Sequence, residues 1–135
     1  ALPMGYRPRA NEEFMNPLHL AYFRQKLIDW KDAIVRESRE TMTSLKRGPI
    51  QEADLTDRAS SETDWGIELR TRDRQRKLIA KIDAAIRRLY DGEYGYCEVT
   101  GDPISLARLE ARPIATMTLE AQERHERIER VSRDD

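Results

Sequence analysis

The sequence predicts a mainly α-helical protein: a long antiparallel coiled-coil hairpin, a small compact knob and a closing helix. Three observations carry this reading. Two long stretches hold apolar side chains at heptad spacing: Leu20, Phe23, Leu27, Trp30 and Ile34 in the first, Leu78, Ile82, Ala85 and Leu89 in the second. The helix breakers Gly48–Pro49 and Gly92 bound those stretches. Charged residues make up 36% of the chain against 39% hydrophobic, which suits solvent-exposed helices laced with i,i+4 pairs such as Glu68 and Arg72 better than a thick globular core.

Residues 1–16 read as an irregular segment packed on the base of the hairpin, because Pro3, Gly5 and Pro8 break any periodicity. Asn16–Pro17 has the form of a helix start, with Asn16 as N-cap and Pro17 in the first helical position. The first helix is expected from Pro17 to Arg47. Its seam continues into Glu37, Thr41 and Ser44 and so turns polar, with Met42 and Leu45 as a displaced apolar edge. The second helix is expected from about Glu62 to Asp91, stopped by Gly92. Projected backwards, its seam gives Gln75 and Thr71, also polar, with Trp65, Ile67 and Leu69 as the apolar residues nearer the connection. The two patterns agree in an antiparallel pair, because the strong seams then meet at one end and the polar halves at the other. Helices of this length make a hairpin roughly 45 Å long. The expected organisation is thus a hairpin over 17–92 with its tip at about 50–61, a knob over 93–117 rich in Gly, Pro and aromatic residues, and a C-terminal helix over 118–135.

Composition excludes several classes of function. The net charge is −1, so nothing in the balance implies bulk or sequence-specific DNA binding. One cysteine, Cys97, allows no internal disulfide. No apolar run approaches a membrane span and no signal-peptide pattern is seen, so a cytoplasmic protein with no membrane partner is expected. The chain begins at Ala1 rather than Met, which leaves room for residues upstream. There is no Ser/His/Asp set and no phosphate-cradling Gly loop, and the only histidines are His19 and His125. No enzyme is expected.

The knob stretch Tyr94–Gly95–Tyr96–Cys97, Gly101 and Arg108–Leu109–Glu110–Ala111–Arg112–Pro113 resembles the DksA family (DksA/TraR type) of bacterial transcription regulators. So do Leu69–Arg70, Arg72–Asp73–Arg74 and Arg76–Lys77–Leu78–Ile79 in the second helix, the tip motif Asp54–x–x–Asp57–x–Ala59, and Phe14–Met15–Asn16 at the entry to the first helix. The resemblance covers nearly the whole chain. It implies a protein, expected to be monomeric, that binds RNA polymerase directly. The coiled coil would enter the secondary channel and its tip would modulate initiation, together with the alarmone ppGpp in the stringent response. Asp54, Asp57 and Ala59 are then the effector residues and Arg74 a polymerase contact. Leu78, Lys81, Arg112 and Gln122 fall at the ppGpp positions, Gln122 replacing the usual lysine.

The knob departs from the family's C-x2-C-x17-C-x2-C zinc finger. Those four positions are Cys97, Thr100, Thr118 and Ala121, and one thiolate, two hydroxyls and a methyl do not make a structural zinc site. The chain looks like a single-cysteine, zinc-free branch with a zinc-finger-like but metal-free knob and no tightly bound cofactor. Tyr94, Tyr96, Ile104, Leu109, Ile114 and Met117 are the expected replacement for the metal.

Simpler readings stand beside these. The i,i+3 spacing of Asp54 and Asp57 also fits helix capping, and both roles are compatible. The basic run Arg70–Lys77 also reads as a solvated helix face, and Cys97 as a small buried side chain. An acidic tip on a coiled coil also suits a Gre-like transcript-cleavage factor, and a tip without a role would leave a passive coiled-coil adaptor.

Overall fold

The computed structural model describes residues 2–47 and 55–134, with the side chains of all but 41, 44–47, 55–62, 133 and 134. Four helices follow in order: α1 (Pro17–Arg47), α2 (Leu55–Asp91), α3 (Leu106–Ala111) and α4 (Leu119–Asp134). The only extended pairing among the described residues is a single antiparallel bridge between Tyr96 and Pro103.

Each boundary has a local cause. At the start of α1, Asn16 Oδ1 accepts the N–H groups of Leu18 at 2.8 Å and His19 at 3.1 Å, satisfying two of the donors that a helix start leaves open. At the end of α2, Gly92 takes φ +76°, and the N–H groups of Glu93 and Tyr94 both return to the Arg88 carbonyl. In the knob, the Ser105 hydroxyl accepts the Arg108 N–H at 3.1 Å and starts α3. The Thr118 hydroxyl accepts the Ala121 N–H at 3.2 Å and starts α4.

One expected boundary is corrected. α2 begins at Leu55 rather than near Glu62, so Asp57 and Ala59 lie in its first turns and not in a connecting loop. The stretch from Leu55 to Glu62 holds no Gly or Pro and includes Leu55, Arg58, Ala59 and Glu62, all good helix formers. A polar stretch of this kind shows no apolar period from which a helix is read.

The chain divides into two compact units, Ala1–Leu27 with Asp83–Asp135, and Ile28–Ile82. In the first, Phe23, Leu27, Ala85, Leu89, Tyr94, Cys97, Ile104, Leu109, Ala115 and Ala121 are buried. Full burial of a Leu, Ile or Phe side chain contributes about 1.5–3 kcal/mol. The helices face each other here through Arg24 Nε, which donates to the Tyr90 hydroxyl at 3.1 Å. Of the cluster expected to replace a metal, Tyr94, Ile104 and Leu109 are buried, and Tyr96, Ile114 and Met117 are half-buried. The Tyr94 hydroxyl donates to the Pro113 carbonyl at 2.8 Å, so the largest core side chain leaves no polar atom unsatisfied.

In the second unit the helices again run antiparallel. Ile34 and Ile82 are buried, and Ser38 bonds to Gln75 at 2.9 Å. Along α1 the burial follows the heptad seam: Phe23, Leu27 and Ile34 are buried, and Leu20 and Trp30 half-buried. Ile67 and Leu69 stay about half exposed, at 49% and 47%.

Candidate functional site

Asp54 lies outside the described residues. Asp57 is the third residue of α2 and Ala59 the fifth, and the side chains of both lie outside what the structure describes. A negative charge in the first turn of a helix is favoured by the positive end of the helix dipole.

Arg74 lies further along α2, exposed, beside Ile67, Leu69, Arg70, Asp73 and Arg76, which with it line a shallow groove of about 720 Å³. Asp73 accepts from Arg76 Nη2 at 2.8 Å and pairs with Lys77 Nζ at 3.3 Å. The Arg76 hydrogen bond, then that of Lys77, holds the Asp73 carboxyl below the usual carboxylate range. Arg74 therefore does not neutralise Asp73; its guanidinium makes a 3.4 Å contact to the Thr71 hydroxyl instead.

The four positions that the family resemblance gives to ppGpp divide between the units. Leu78, half-buried, and Lys81, exposed, belong to Ile28–Ile82; Arg112 and Gln122 belong to the other unit. Arg112 is the C-cap of α3, its N–H returning to the Arg108 carbonyl at 2.7 Å. It lines a groove of about 600 Å³ with Arg108, Ser105, Thr118 and Glu120. Arg108 is fixed there, because its Nε donates to the Met117 carbonyl at 2.9 Å. Gln122 does not line this groove; its amide donates to Glu126 at 3.1 Å.

The four zinc-ligand positions do come together. Cys97 is 3% exposed, and its turn is closed by Cys97 N–H to the Asp102 carbonyl at 2.7 Å and Gly101 N–H to the Cys97 carbonyl at 2.8 Å. Burial raises the Cys97 thiol, but the Thr100 hydroxyl and the N–H groups of Thr100, Thr118 and Val99 donate to the sulfur and outweigh it, drawing the pKa down to about 7. The Thr100 oxygen also accepts the Asp102 N–H at 3.2 Å. Thr118 caps α4, and Ala121 is buried beneath it. The turn is shaped around one sulfur, and a single thiolate with two engaged hydroxyls does not fit a four-coordinate zinc ion. No group of three or more metal-ligating side chains occurs among the described residues.

Sequence reasoning missed the clasp that ties the N-terminal segment to the knob. His19 is buried, and its Nδ1 accepts the Met15 N–H at 3.1 Å, while Nε2 faces Glu12 at 3.6 Å. Met15 sits at φ +54°, and its side chain occupies the space where a Cβ on Gly95 would stand, 3.0 Å away. Phe14 packs edge-on against both His19 and Tyr96. A second tie joins α1 to α3: Glu110 accepts from the Tyr22 hydroxyl at 2.9 Å and Lys26 Nζ at 3.0 Å. The Phe14–Met15–Asn16 run and the Gly between two tyrosines were the available signals.

Two family descriptions match this architecture. The N-terminal domain of DnaK suppressor protein DksA matches residues 19–89, and the prokaryotic dksA/traR C4-type zinc finger matches residues 92–127. The chain belongs to the DksA family. The RNA polymerase-binding transcription factor DksA of Caulobacter vibrioides strain NA1000 is 68% identical over 130 residues, 96% of this chain and 92% of that protein. The factor of the same name from Escherichia coli strain K12 is 38% identical over 117 residues, covering 87% of this chain and 78% of that one. Among solved structures, transcription factor DksA2 from Pseudomonas aeruginosa superposes with a TM-score of 0.81 at 36% identity, covering 92% of this chain and 94% of that one. Membership rests on both parts of the fold, although only one of the four cysteines of a C4-type finger is present. No helix among the described residues is long and apolar enough to cross a membrane.

Proposed function

We propose that this protein binds RNA polymerase directly and regulates transcription initiation from the secondary channel, together with ppGpp. The observation that carries the reading is the likeness to a polymerase-binding factor along nearly the whole chain, with both family domains present. The working parts are the N-terminal segment 1–16, the hairpin 17–92, the knob 93–117 and the C-terminal helix 118–135, in a cytoplasmic monomer without catalysis of its own. Asp54, Asp57 and Ala59 act at the hairpin tip. Two carboxylates near the polymerase active site perturb bound metal or basic side chains, and the small Ala59 allows close approach. Arg74 serves as a polymerase contact, supported by its exposure and by Asp73 being engaged elsewhere.

For ppGpp, Arg112 offers a bidentate fork to phosphate and Lys81 a point charge, while Leu78 offers apolar contact. Gln122, neutral where the family pattern has lysine, weakens the coupling without abolishing it. The knob works as a metal-free member of the zinc-finger family, supported by the donor set at its four ligand positions.

The test is transcription from a ribosomal promoter with purified polymerase, with and without ppGpp. Inhibition that ppGpp strengthens is expected. Lys81→Ala and Arg112→Ala are each expected to lower the ppGpp response more than they lower competition for polymerase. Full ppGpp response in both variants would show the alarmone site to be misplaced, and no effect of the wild type on any initiation rate would remove the reading.

A further inference from the structure

A polar layer lies within the unit Ile28–Ile82. On α1 the seam passes from buried Ile34 to Glu37 and Ser38, and on α2 from buried Ile82 to half-buried Gln75. The Ser38 hydroxyl donates to Gln75 Oε1 at 2.9 Å, and Gln75 Nε2 donates to Glu37 Oε2 at 3.3 Å. One amide thus uses both its acceptor and its donor on the facing helix. A leucine at this seam position would be the simpler way to hold two helices together. A polar residue where an apolar seam ends instead specifies alignment, at a cost in stability: an apolar contact repacks after a shift, whereas an amide bonded at both ends finds its partners in one alignment only.

Alignment needs such a device here. From this layer toward the start of α2 the apolar grip is reduced: Trp65 is half-buried, and Ile67 and Leu69 are about half exposed, at 49% and 47%. Thr71 turns its hydroxyl back to the Ile67 carbonyl at 3.0 Å rather than across to α1. The groove between the helices beside the layer, lined by Val35, Ser38, Met42, Arg72 and Ile79, has a volume of about 390 Å³, so side chains there have room to repack.

We propose that Gln75 is a positioning residue that sets the register of α1 against α2 through Ser38 and Glu37, and thereby fixes where the hairpin delivers the start of α2. The functional half of this inference rests on the proposed action of Asp57 at the polymerase. A slip of one helical turn displaces a residue by about 5.4 Å along the axis, which takes a carboxylate out of hydrogen-bonding reach of any fixed target.

The register is read in the free protein, on a Cys97→Ser background, with spin labels on Arg36→Cys and Asp64→Cys, both exposed and separated along the hairpin. The parent is expected to give one narrow distance. Gln75→Leu is expected to broaden it or add a population displaced by about one turn, while its thermal midpoint stays level or rises because the seam becomes apolar. The same variant should compete for polymerase like wild type, yet need about fivefold more protein for half-maximal promoter inhibition, the equilibrium factor set by one net hydrogen bond. Gln75→Glu alone should lose the narrow distance, because two carboxylates then face each other. Combining it with Glu37→Gln transposes donor and acceptor, and this pair is expected to restore both the distance and the inhibition. A narrow, unshifted distance in Gln75→Leu overturns the inference whatever the transcription result, and so does failure of the transposed pair to recover. A wild-type protein that does not inhibit would remove the proposed function, while the distance measurement would still decide the register.

Discussion

At the scale of single residues, Cys97 and Gly95 show how much the knob depends on particular atoms. The donors around the Cys97 sulfur hold its pKa near 7, below the ordinary thiol value of about 8.5. A group depressed in the folded state adds stability that is complete above its unfolded pKa and is lost as pH falls through the folded one. The denaturation midpoint of the wild type should therefore rise from about pH 7 to about pH 8.5, and Cys97→Ser should lack that slope. Chemical denaturation of both proteins across that range is the measurement, and parallel profiles would mean that the sulfur stays a thiol. Gly95 meets two demands at once, φ +89° and a Met15 side chain 3.0 Å from where a Cβ would stand. Gly95→Ala should cost about 1–3 kcal/mol from backbone strain and displacement of Met15. Loss of the clasp should show first as faster amide exchange at Met15, whose N–H is held by His19.

At the scale of elements, the helix starts carry the information. Asn16, Ser105 and Thr118 each cap a helix through a side-chain oxygen, and each falls where an apolar periodic run begins. α2 is the instructive case, because its first turns hold Asp57. Replacing Asp57 by Asn keeps the shape and removes the charge, so the loss at the helix start should be only about 0.3–1 kcal/mol. A hairpin held by the buried Ile34 and Ile82 tolerates that much. The variant should fold and compete with wild type for polymerase, yet fail to inhibit a sensitive promoter. Unchanged inhibition would reduce Asp57 to a helix residue, and lost competition would make it an anchor.

At the scale of the whole molecule, the proposed metal-free knob leans on packing, and the charge balance limits the partners. The knob carries a core of Tyr94, Cys97, Ile104, Leu109 and Ala115, with Ala121 of α4 also buried, and Tyr94 is further tied to the Pro113 carbonyl. Purified protein should hold no stoichiometric zinc, and a strong chelator should leave its thermal midpoint unmoved. Unfolding on chelation, or one zinc per chain by elemental analysis, would reverse that reading. With a net charge of −1, binding to bulk DNA should be negligible at physiological salt. Under the proposed function, specificity comes from surfaces such as the Arg74 groove and the α2 start rather than from total charge.

The sequence by itself determined the two hairpin helices and the C-terminal one, because heptad seams, breakers and caps are local signals that a helix period exposes; the short α3, inside the knob, is too brief to show a period. It also determined the family, through motifs spread along the chain. It placed the start of α2 too late, near Glu62, because a polar but helix-competent stretch has no periodicity to read; the capping reading, with Asp57 at the third helical position, matches the start at Leu55. Only the tertiary structure decided which distant residues meet. Met15 fills the space beside Gly95, Glu110 joins Tyr22 and Lys26, and the amide of Thr118 donates to the sulfur of Cys97. Likewise, Gln75 read from the sequence as a gap in the seam and became a two-ended bond once Ser38 and Glu37 stood opposite. The physical reason is common to all of these: periodicity records which face of a helix is buried, whereas a hydrogen bond or a filled space between residues far apart in the chain exists only once the backbone has brought them together.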